Sequence, residues 1–253
     1  MLIAAALCPA PPLLARELTG AEPVLPELRQ ACREAVDELV HADPEMVAVV
    51  GAAPETRTWD PRARLDLTAY APALAGLGRS VPDTDRDAGN TGVPGPPEHT
   101  ATESLPGLPL PVGLGSRLLD DAGYGGERRL QSVGADTPPV ECAALGSRLA
   151  AAAPRTALLV MADGSARRSR RAPGYLDPRA GPFDAQVARA IRDGDMTALL
   201  ALDGGLAAEL LATGRPAWQV LAGAMTGHRP SCQVRYDDDP FGVAYLVASL
   251  AVG

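Results

Sequence analysis

Apolar positions along the chain follow two periods. Residues 2–7 form an unbroken apolar run stopped by Cys8-Pro9-Ala10-Pro11-Pro12, the pattern of a buried strand entering a rigid loop. Residues 24–41 place Leu25, Leu28, Ala31, Ala35, Val36, Leu39 and Val40 at helical spacing. Residues 46–51 (MVAVVG) are β-branched and closed by glycine, which predicts a second buried strand. Strand, helix, strand in that order predicts a parallel sheet covered on both faces.

The pattern breaks over residues 79–111, where Pro, Gly, Asp and Thr crowd out any periodicity and a long flexible insertion loop is expected. A helix over 113–121, a strand over 128–133 and an Ala-rich helix over 139–152 follow. Residues 155–162 (RTALLVMA) are the clearest core strand. The last third reads as helices over 183–192, 196–202, 206–212 and 216–225, then closing strands over 232–236 and 241–252. The expectation is one α/β domain over 1–253, a twisted mixed or parallel sheet flanked by helices.

Composition narrows the chemistry. The net charge of −8 disfavours general nucleic-acid binding. All 23 basic residues are arginine, so no Schiff-base, P-loop or general-base lysine exists. The four cysteines, Cys8, Cys32, Cys142 and Cys232, are scattered and read as reduced, mostly buried thiols rather than a disulfide framework or zinc site. The first eight residues lack a positive flank and read as a strand, not an export signal, and the cytoplasm is the expected location. No apolar run approaches the roughly 18 residues of a membrane span, so no membrane association is expected.

One segment carries concentrated polar chemistry: Asp163-Gly-Ser165-Ala-Arg167-Arg168-Ser169-Arg170-Arg171, continuing to Tyr175 and Asp177. It follows the clearest core strand, and ligands of open α/β sheets bind at strand carboxyl ends. Arginine captures carboxylates and phosphates in bidentate fashion. Asp163 suits a base, an arginine partner or a metal ligand. The same residues also read as a tight turn with a solvated arginine face. Cys8, at the end of the first strand, reads either as a small buried residue or as a ligand-binding group at the cleft mouth.

Five pieces in order carry a family resemblance: Pro9-Ala10-Pro11-Pro12, Ala162-Asp163-Gly164-Ser165-Ala166, Phe183-Asp184, Gly194-Asp195 with Leu199-Leu200, and Pro240-Phe241-Gly242-Val243-Ala244-Tyr245. This layout resembles the class III extradiol dioxygenases of the protocatechuate dioxygenase beta-subunit type and the related Memo proteins. The Asp-Gly-Ser-Ala-Arg-Arg version resembles a branch found in actinobacteria. The resemblance implies the α/β fold and a ring-cleaving Fe(II) site of two histidines and a carboxylate, with a further histidine as acid/base. The corresponding positions here are Ala10, the stretch Gly51-Ala52-Ala53-Pro54, and Ala166; the later carboxylate falls near Leu211–Gly214, with Glu209 close by. None supplies a histidine, and His41, His99 and His228 lie elsewhere.

Three readings follow. In the first, a diverged member binds a small anionic molecule in the former cleft without a metal cofactor. Asp163 and Ser165 are then the reacting groups, and Cys8, Arg167, Arg168, Arg171, Tyr175 and Asp177 the binding groups. In the second, a ring-cleaving dioxygenase holds Fe(II) or another divalent metal on atypical ligands such as Asp163, Glu209 and a histidine from elsewhere in the chain. In the third, the same surface pairs with a partner subunit, and a homodimer is expected by resemblance.

Overall fold

The computed structural model describes residues 1–20, 24–71 and 106–252. Seven strands form one mixed sheet: β1 (Leu2–Cys8), β2 (Met46–Ala53), β3 (Arg57–Trp59), β4 (Glu127–Gly134), β5 (Thr156–Met161), β6 (Ser231–Asp238) and β7 (Tyr245–Ala251), in the order β3-β4-β2-β5-β1-β7-β6. The pairs β1–β5, β2–β5 and β2–β4 are parallel. The pairs β1–β7, β6–β7 and β3–β4 are antiparallel. The expected mixed α/β sheet is therefore present, with its parallel strands at the centre.

The central strands are apolar on both sides because both sides are covered. Leu7, Ala48, Val50, Leu158 and Val160 point into one core. That core is closed by α4 (Pro139–Ala150), α5 (Ala180–Asp193), α6 (Met196–Leu200), α7 (Gly204–Glu209) and α8 (Arg215–Ala224). Ala6, Cys8, Val47, Val49, Leu159 and Met161 point into the other, under α2 (Pro26–His41) and α3 (Leu110–Asp121). Each fully buried leucine contributes about 1.5–3 kcal/mol of transfer free energy. The crossing of α4 and α8 is close because Gly146 and Gly223 sit at it. A Cβ on either would overlap the facing helix backbone at Val220 or Ala143.

Boundaries differ from expectation where packing, not periodicity, sets them. Helix α3 starts at Leu110, so the expected loop over 79–111 ends sooner; Leu108 is already buried and bridges to Leu65. Residues 79–105 of that expected insertion lie outside the described residues. The last strand starts at Tyr245 rather than 241, because Gly242 adopts a left-handed turn (φ 72°) and breaks the extended run. A short helix α1 (Arg16–Thr19) and the three-residue strand β3 were not expected. No helix among the described residues is long and apolar enough to cross a membrane.

Candidate functional site

Strands β1 and β5 run side by side and end together, with Ala162 N–H donating to Cys8 O at 2.8 Å. The chain leaves β5 into Asp163 and leaves β1 into Ala10. Ala10 N–H donates to Asp163 Oδ1 at 2.8 Å, joining the two loops. From the opposite side Gly214 N–H donates to Asp163 O at 2.9 Å. A Cβ at Gly214 would lie 2.5 Å from that oxygen, so glycine permits the approach.

Asp163 is thus held by its backbone and one side-chain oxygen. It keeps partial exposure, and its other oxygen has no partner among the described residues. Burial pushes its carboxyl up to about 6, with the Ala10 N–H opposing. Burial and the Asp163 charge together push the hydroxyls of Tyr70 and Tyr245 up. Tyr245 is buried and Tyr70 half exposed. Both tyrosines thus lie within electrostatic range of Asp163, which stands at the carboxyl end of β5, the usual ligand position in such sheets.

Two residues further on, the same segment turns inward. Ser165 is fully buried. Its N–H donates to Asp184 Oδ1 at 2.9 Å and its hydroxyl to Asp184 Oδ2 at 2.5 Å. Arg168 donates to Asp239 at 2.7 Å and to Asp184 at 3.4 Å. Burial pushes the Asp184 carboxyl up, and Ser165 and Arg168 oppose the rise. Backbone bonds Gly164 N–H to Ala244 O, Ala244 N–H to Ser165 O and Arg168 N–H to Gly242 O fasten this turn to the loop before β7.

Several expected site residues are therefore redirected. The Ser165 hydroxyl, expected as a reacting group, is buried and donates to Asp184. Arg168 is not an open anion contact, because two carboxylates already occupy it. Cys8 does not sit at a cleft mouth. It is fully buried beneath α2, and the neighbouring Cys32 thiol, then burial, hold its own thiol well above the usual range. Asp177 pairs with Arg179, which holds its carboxyl at about 2. Arg167 is partly buried and its Nε has no partner among the described residues, while Arg171 and Tyr175 are exposed.

Sequence reasoning left out Tyr70, Tyr245, Asp184, Asp239 and the Ala10 N–H. Asp184 and Tyr245 were within reach, as each stands inside a motif quoted for the resemblance. Tyr70 had no local signal.

An iron ion on two histidines and a carboxylate needs three donors at about 2.0–2.2 Å. Ala10, Ala52, Ala53 and Ala166 offer methyl groups, and Glu209 points to Arg179. His41 caps α2 through Asp37 O, and His228 lies in the turn before β6. Among the described residues no three His, Cys, Asp or Glu side chains converge. The described residues do not fit that iron site; His99 lies outside them.

No protein-family profile and no curated protein matches the chain. Among solved structures it is similar to that of an uncharacterized protein from Escherichia coli K12, with a TM-score of 0.52 and 16% identity over 98% of this chain and 99% of the other. That likeness shows the fold alone.

Proposed function

We propose that this chain is a diverged relative of the class III extradiol dioxygenases that binds a small hydroxylated anion at the carboxyl ends of β1 and β5 without the iron route. The observation that carries the reading is the Asp163 carboxyl: anchored on one oxygen, unpartnered on the other, and pushed up to about 6. Such a group accepts a proton from a bound hydroxyl near neutral pH. Tyr245 and Tyr70, whose hydroxyls feel its charge, are assigned as phenol donors to the ligand. The anionic end of the ligand faces the exposed arginine flank, where Arg171 is open and Arg168 is not.

The test is calorimetric titration with para-hydroxybenzoate, which joins a phenol to a carboxylate. Binding by the native chain should weaken at least about tenfold in Asp163→Asn, the loss expected of one charge-assisted hydrogen bond. Arg168→Ala should leave binding within about twofold, because that side chain acts on the fold. Equal affinity for the native chain and Asp163→Asn sinks the reading. So does near-stoichiometric iron in protein purified without air.

A further inference from the structure

A cavity of about 480 Å³ opens on the opposite side of the molecule from α4 and α8, between α1, α2 and α3. Its volume lies within the roughly 300–1,000 Å³ of small-molecule sites. Leu14, Leu114 and Leu118 give it apolar lining, and Arg16, Arg29 and Arg33 line it with charge. Three guanidiniums lining one cavity stand out in a protein of net charge −8.

The three arginines have different tasks. Arg29 spends its donors on the chain around it: Nε on Val24 O at 2.9 Å, Nη1 on Leu14 O at 3.0 Å, and Nη2 on Leu13 O. It clasps the loop after β1 onto α2 and fixes a positive charge at the cavity. Burial, then the charges of Arg16 and Arg33, pull its pKa down, so the three sit within mutual repulsion. Arg16 and Arg33 are exposed at the rim, and Arg33 gives one N–H to Gln30. No carboxylate among the described residues pairs with any of the three. Glu17, the neighbour of Arg16 in sequence, is taken by Arg117. Asp120 and Asp121 also line the cavity, and Asp120 is paired with Arg128.

We propose that this cavity is a binding site for a small organic anion, its acidic group between Arg16 and Arg33 and its apolar body on Leu14, Leu114 and Leu118. The site shares no side chain with Asp163 and does not rest on the function proposed above.

Hexanoate and hexylamine carry the same apolar body with opposite charge, and each is titrated at low ionic strength while the unfolding temperature of the full chain is followed. Hexanoate should raise the temperature in a dose-dependent way and hexylamine should not. The double variant Arg16→Ala/Arg33→Ala, altered only at exposed side chains, should bind hexanoate about tenfold more weakly. Asp163→Asn should bind it as the native chain does. Equal shifts from both compounds, no shift with hexanoate, or unchanged hexanoate binding in the double variant overturns the proposal. Loss in Asp163→Asn with retention in the double variant also overturns it, and moves the anion to the first cleft.

Discussion

Asp163 and Ser165 stand two residues apart on one turn and are treated oppositely by the fold. On the Ser165 side, Asp184 accepts from its N–H and its hydroxyl, and Arg168 donates to Asp184 and Asp239. Asp163 is given one N–H from Ala10 and left with an open oxygen in a desolvating setting. A satisfied buried network rigidifies, whereas an under-satisfied one stores reactivity. The Ser165 half ties its turn into the interior, while the Asp163 side chain keeps partial exposure.

The sharpest way to break this comparison is to empty the satisfied half. Asp184→Ala leaves the Ser165 N–H and hydroxyl without their acceptor and removes one partner of Arg168. We expect a loss of about 2–4 kcal/mol of folding stability, read by urea denaturation. A cost below about 1 kcal/mol would mean that water replaces the carboxylate and that the network does not hold the turn.

The open half predicts a pH effect of the opposite kind. The Asp163 carboxyl is raised to about 6 in the folded protein, against about 4 when unfolded. Between these values the folded state keeps a proton that the unfolded chain has released, so stability falls as pH rises from about 4 to about 6. Partial exposure moderates the effect to about 1–2 kcal/mol. Asp163→Asn lacks this fall. The stability of the variant relative to the native chain should therefore be greater at pH 7 than at pH 4, by that amount. A difference independent of pH would show that the carboxyl is not desolvated.

The two halves were unequally legible. The core strands β1, β2 and β5 are visible as apolar runs because both their faces are buried. Strand β3 is three residues long, and long-range bonds such as Trp59 Nε1–H to Ser132 Oγ at 2.9 Å hold it, so no local pattern marks it. Asp163 is legible as a polar residue ending a core strand. The neutralisation of Arg168 is not, because its partners Asp184 and Asp239 lie 16 and 71 residues away. The arginine run looked like one electrostatic feature, and the fold splits it into a structural member, Arg168, and an exposed one, Arg171. The set of Arg16, Arg29 and Arg33 went unnoticed, although Arg29 and Arg33 stand one helical turn apart, where like charges need a reason.

That split within the arginine run yields the smallest effect and the finest test. The Arg171 side chain is exposed and makes no hydrogen bond among the described residues; only its backbone N–H is used, toward Ser169 Oγ at 3.3 Å. Arg171→Ala should change stability by no more than about 0.5 kcal/mol. Its contribution to an anionic ligand in the cleft is long-range and solvent-screened. Affinity for para-hydroxybenzoate should therefore drop about two- to fivefold at low salt, with the difference vanishing above about 0.5 M salt. A loss that persists at high salt would place Arg171 in direct contact with the ligand. No loss at any salt would remove the arginine flank from binding and leave Asp163 and the two tyrosines as the whole of the recognition surface.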